Sequence, residues 1–142
     1  MKKIALFLFI ILVLVGCGKV SKQFDASAAQ NTIEKRLDGM VNIPDSTLTD
    51  AYGLNLKNME EWTFKQNEEG DLYAIIKTSN KTAVKNEMKD YFAKVKDFNE
   101  SYSPKRLEIL ENRLEKELGN YLIYIIAEDA DSIYSDILDT MK

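Results

Sequence analysis

One thiol, no imidazole and three short groups of carboxylates are the chemistry available to this chain of 142 residues. The thiol is Cys17, the single cysteine, and it stands directly after Leu14-Val15-Gly16. The absence of histidine removes the commonest general base, the commonest metal ligand and the ordinary pH switch together. A lone cysteine has no disulfide partner. If its sulfur is consumed by modification, Cys–His nucleophiles and Cys/His zinc sites are excluded as well.

The acidic groups are weaker candidates. Glu68-Glu69-Gly70-Asp71 falls between two apolar runs, where a turn places its charges in solvent. Asp129, Asp131 and Asp136 have a superficial calcium look, but an EF-hand also needs an oxygen ligand at its fifth position and glycine at its sixth. Ile133 and Tyr134 occupy those two places. Acids at a helix start are favourable through the helix dipole alone, by about 0.3–1 kcal/mol. Glu60-Glu61 beside Trp62 has the composition of a carbohydrate site, an aromatic platform with acids, although a single Trp in a strand more often packs a core. No catalytic, cofactor-binding or metal-binding residue is assigned from these patterns.

The surroundings of Cys17 are specific. Lys2 and Lys3 precede an unbroken apolar run from Ile4 to Val15, followed by small residues, the anatomy of an export signal. Twelve residues rise only about 18 Å as a helix, short of a hydrocarbon core of about 30 Å, so a retained membrane span is disfavoured. Leu14-Val15-Gly16-Cys17 resembles the lipobox of bacterial lipoproteins. The resemblance implies cleavage between Gly16 and Cys17 and a diacylglyceryl group on the Cys17 sulfur, since one acyl chain holds a bilayer only marginally and two hold it stably. The expected organisation is a signal peptide over 1–16, a lipidated cysteine and tether over 17–24, and one extracytoplasmic domain over 25–142. The net charge of −4 becomes more negative once Lys2 and Lys3 are removed, which disfavours nucleic acid as a partner.

Beyond the tether, Asp25 caps a helix expected to reach Leu37, with Ala29, Ile33 and Leu37 at four-residue spacing and Gly39 as its stop. Pro44-Asp45 opens a short helix that ends at Gly53. Glu61 to Gln66 and Leu72 to Thr78 read as the strands of a hairpin, with Trp62 and Phe64 on one face. The stripe Val84, Met88, Tyr91, Phe92, Val95 and Phe98 predicts a long helix over Asn80 to Glu100. Ser103-Pro104 caps the next helix.

Two readings collide after Pro104. Leu107, Leu110, Leu114 and Leu118 hold helical spacing, whereas Gly119-Asn120 followed by the β-rich run Tyr121 to Ala127 signals a hairpin whose first strand is Arg113 to Leu118. Glu128-Asp129-Ala130-Asp131 then caps a last helix facing inward through Ile133, Tyr134, Ile137, Leu138 and Met141.

Tyr52-Gly53, the strand ending Ala74-Ile75-Ile76-Lys77, the long helix, Tyr102-Ser103-Pro104, and Gly119-Asn120-Tyr121-Leu122 before an acidic cap together resemble the domain of unknown function 4358. That family comprises small lipoproteins of low-GC Gram-positive bacteria, and the resemblance covers roughly Thr47 to the C-terminus. It implies placement on the outer face of the cytoplasmic membrane and favours the hairpin reading. It carries no catalytic or ligand residues with it.

The expected fold is α+β: a small antiparallel sheet of three to four strands in two hairpins, covered on one face by helices. The expected function is that of a membrane-anchored, non-catalytic binding or adaptor module, with no cofactor, held through lipid on Cys17 and meeting an envelope protein or cell-wall partner. Two alternatives stand beside it: a small envelope enzyme of glycan-hydrolase type using paired carboxylates, and a ligand receptor for a transporter.

Overall fold

A computed structural model describes residues 23–99 and 101–141. Gly16 and Cys17 lie outside the described residues. Four helices and five strands follow in the order α1 (Ala26–Glu34), β1 (Val41–Asn42), β2 (Glu61–Gln66), β3 (Leu72–Lys77), α2 (Lys81–Phe98), α3 (Pro104–Glu111), β4 (Leu114–Leu118), β5 (Tyr121–Ile126) and α4 (Ala130–Asp139). Two short helical turns, Thr47–Ala51 and Leu56–Asn58, lie between β1 and β2.

The strands form one antiparallel sheet in the order β1-β2-β3-β5-β4. The α+β class therefore stands, with a fifth strand added by the two-residue β1. The helical cover differs from the expectation, because both faces of the sheet are buried. Leu72, Ala74 and Ile76 of β3 face a core with Val84, Met88, Tyr91, Phe92 and Val95 of α2 and Leu110 of α3. Tyr73 and Ile75 face a second core with Ala29 and Ile33 of α1 and Ile133 and Ile137 of α4. A strand buried on both faces reads as a continuous apolar run, which is what β3 and β5 are. Each large side chain so buried contributes about 1.5–3 kcal/mol.

Local chemistry sets the element ends. The Asp25 carboxylate accepts from the N–H groups of Ser27 (2.9 Å) and Ala28 (3.2 Å), fixing the start of α1. That helix stops at Glu34, short of Leu37, although Leu37 is still buried. Asn80 and Ser103 cap α2 and α3 through side-chain oxygens that accept from Ala83 N–H (3.2 Å) and Arg106 N–H (3.3 Å).

The hairpin reading of 113–118 is the one realised. Leu118 pairs with Tyr121 across Gly119-Asn120, and Gly119 has φ +58°. A positive φ at the first central residue and not the second matches the type II′ pattern. β4 carries Glu115, Lys116 and Glu117 because it is the sheet edge, where charges protect against unwanted strand pairing. Glu117 faces Lys81 and Lys85 of α2, and Lys116 lies over the Tyr134 ring on the opposite side.

At the other terminus Phe24, read from sequence as the end of the tether, is buried with its ring 4.7 Å from that of Tyr121. The folded unit thus includes Phe24. The chain enters the domain beside Tyr121 and Lys77, which are register partners at one end of the sheet.

Candidate functional site

At the opposite end of the sheet the β2–β3 turn folds over a partly buried ion pair. Asp71, only 8% exposed, receives Arg106 Nη1 at 3.0 Å and the Asn67 amide at 3.1 Å. Asn67 Oδ1 in turn accepts from the Asp71 N–H at 2.9 Å, which closes the turn. Gly70, at φ +87°, lies so near the guanidinium that a Cβ there would sit 3.0 Å from Arg106 Nη2. Of the acidic turn expected to be solvated, Glu68 and Glu69 are exposed, while Asp71 belongs to the interior. Its Arg106 partner comes from α3, so no local pattern announces the pair.

This turn, the C-terminal end of α2 and the start of α3 enclose a cleft of about 490 Å³. Its size falls within the range of about 300–1,000 Å³ typical of small-molecule sites. Gln66, Asn67, Glu68, Glu69, Asn99, Tyr102 and Arg106 supply the polar lining, and Tyr52, Gly70, Leu72, Val95, Leu110 and Ile126 the rest. Tyr52 comes from the helical turn after Pro44 and is held by Lys94, whose ammonium donates to its carbonyl at 2.8 Å. The Tyr52 ring meets Tyr91 at 5.1 Å and Phe98 at 5.5 Å, both edge to face. Phe98, placed by its spacing on the buried stripe, is instead 64% exposed and packs beside Tyr52. Burial, and then the nearby Tyr102 hydroxyl, raise the Tyr52 pKa. Burial raises that of Tyr91 as well, with Tyr52 and Tyr102 adding to it, so the Tyr52 and Tyr91 phenols remain neutral donors at physiological pH. The Tyr91 hydroxyl and Arg106 Nη2 are buried without a hydrogen-bond partner among the described residues.

Of the remaining sequence candidates, Asp129, Asp136, Glu61 and Trp62 are held in structural contacts, while Asp131 and Glu60 are exposed. Asp129 and Asp136 share Arg36, at 2.7 and 2.5 Å. Asp129 precedes α4 but makes no side-chain cap, its carboxylate being committed to that arginine. Glu61 pairs with Lys77 at 2.8 Å, and the half-buried Trp62 donates its indole N–H to Asp45 at 2.9 Å. Trp62 therefore packs against the core edge and does not stand as an open platform. Among the described residues no group of three or more His, Cys, Asp or Glu side chains is placed to hold a metal ion.

The cleft was not visible in the sequence. Tyr102 appears there only as part of a helix break, Asn99 as a position within the long helix, and Gln66 as a strand end. The sole local signal was the sequence of Glu68 to Asp71, and it pointed to solvent. No curated protein and no solved structure matches the chain. The sequence profile of the family described as a domain of unknown function, DUF4358, matches residues 33–127. That span runs from α1 to the end of β5 and takes in the whole sheet and every residue of the cleft lining, so the chain belongs to the DUF4358 family.

Proposed function

We propose that the chain is a lipoprotein anchored through Cys17 on the extracytoplasmic face of the cell membrane, where it serves as a non-catalytic binding module. The observation that carries the anchoring is Leu14-Val15-Gly16-Cys17, placed directly after a short apolar run behind two lysines. Binding is supported by the cleft at the sheet end away from Phe24. There the lining would face outward from the membrane, toward an envelope protein or a cell-wall polymer.

The non-catalytic reading rests on the acids of that cleft. A general-acid carboxyl needs burial or a neighbouring carboxylate to hold its proton at neutral pH. Asp71 is committed to Arg106 by an ion pair, with no second carboxylate beside it among the described residues, and Glu68 and Glu69 stand exposed. A hydrolytic pair of the kind a glycan hydrolase needs has no support in this arrangement.

The test is metabolic labelling with palmitate in the native host. The unaltered chain is expected to take up label and to run as the shortened mature form. Cys17→Ser is expected to remain an unlabelled, full-length precursor. Normal labelling and processing of that variant would overturn the anchoring.

A further inference from the structure

Resting on the reading of this cleft as a binding site, we infer that its ligand is an uncharged, hydroxyl-rich molecule: a saccharide. The charge of the lining sets the first limit. Arg106 is paired with Asp71 through Nη1 and its Nη2 is buried, while Lys94 lies outside the lining, so the lining presents no accessible cation to an anionic ligand. Among the described residues, the lining charges left without a partner are Glu68 and Glu69 on the exposed rim, which repel anions. Their exposure also screens them, so they give a small cation little hold.

The hydrogen-bonding capacity that remains is neutral and of both signs. The Gln66 amide has no side-chain partner among the described residues and offers donors and an acceptor. The Tyr52 and Tyr102 hydroxyls each donate and accept, and Asn99 keeps its oxygen free while its amide nitrogen is bound to the Val95 carbonyl at 2.7 Å. A ligand hydroxyl also gives and takes a hydrogen bond, so a polyol is the class that matches such a lining without residual charge. Tyrosine rings add flat apolar faces with a polar tip, suited to a sugar's C–H face and its rim of hydroxyls.

The experiment uses the full lipid-anchored chain in detergent micelles. Chitotriose, maltotriose and cellotriose are titrated against tyrosine fluorescence and the thermal midpoint, with inorganic phosphate and spermidine as charged probes. At least one trisaccharide is expected to bind saturably and raise the midpoint. Tyr102→Phe, which keeps the ring, and Gln66→Ala should each weaken it about tenfold, the scale of one neutral hydrogen bond. Binding of phosphate or spermidine that is lost in Tyr102→Phe, with no sugar response, would overturn the saccharide assignment and leave the binding-module reading intact. No Tyr102-dependent response to any probe, with the chain folded, would overturn both.

Discussion

Glu34 shows how one carboxylate ties a helix to the sheet. It stands at the last turn of α1 and accepts from Lys65 Nζ at 2.6 Å and from the Tyr73 hydroxyl at 2.5 Å. Tyr73 is fully buried, and Glu34 is the acceptor that satisfies its hydroxyl. Burial by itself would raise the Glu34 pKa, but the hydrogen bonds from Lys65 and Tyr73, with the Lys65 charge, outweigh it and hold the group below its ordinary 4.5. The unfolded chain therefore takes up this proton first as pH falls. The stabilisation is fully present above 4.5 and is lost as pH drops below that value. Glu34→Gln should cost about 1 kcal/mol at pH 7, the scale of a partly exposed ion pair. It should also flatten the fall in thermal midpoint between about pH 5 and about pH 3. Parallel slopes for the two proteins would show that Glu34 contributes nothing to acid sensitivity.

At the scale of elements, the contest over residues 107–118 was decided by position in the sheet. Leucines at helical spacing are compatible with a helix that ends at Glu111, because Leu114 and Leu118 also share one face of a strand. Glu115 and Glu117 then alternate onto the α2 side, where Glu117 finds two lysines. Gly119 makes the reversal possible, and a Cβ there would meet nothing within 4 Å. Its substitution therefore measures backbone strain alone. Gly119→Ala is expected to cost about 1–2 kcal/mol from the left-handed conformation, and Gly119→Pro about 3 kcal/mol or more, since proline fixes φ on the other side. Denaturant midpoints at unchanged slope would check both. An alanine variant as stable as the parent would contradict a positive φ at this position.

Over the whole molecule, what the sequence revealed followed the range of the interactions. The β2–β3 hairpin, the apolar stripe of α2, and the Ser103-Pro104 start of α3 are local, and all were legible. β1 has two residues, too few for any alternation, and exists through pairing with Lys65 and Gln66 of β2. The second helical layer was indicated by the unbroken apolar run of β3, since a strand with one solvated face alternates. The cleft was the least legible feature. Its lining comes from the turn before β3, the end of α2, the start of α3 and the segment after Pro44, which only the folded topology brings together.

Two cores separated by a single sheet have a consequence for the way this molecule opens. Alternate residues of β3 and β5 belong to opposite sides, and β3 is bonded to β2 on one edge and β5 on the other. Exposing either apolar layer strips the same two strands of half their packing, so neither layer forms an independent cooperative unit. Native-state hydrogen exchange should accordingly find the amides of Tyr73 to Ile76 and Leu122 to Ile125 opening with one common free energy, equal to that of global unfolding. Residues donating toward β2 and toward β5 should be indistinguishable in it. A slow class confined to one strand, with the other exchanging at a much lower free energy, would instead reveal a sub-global opening along the β3–β5 seam.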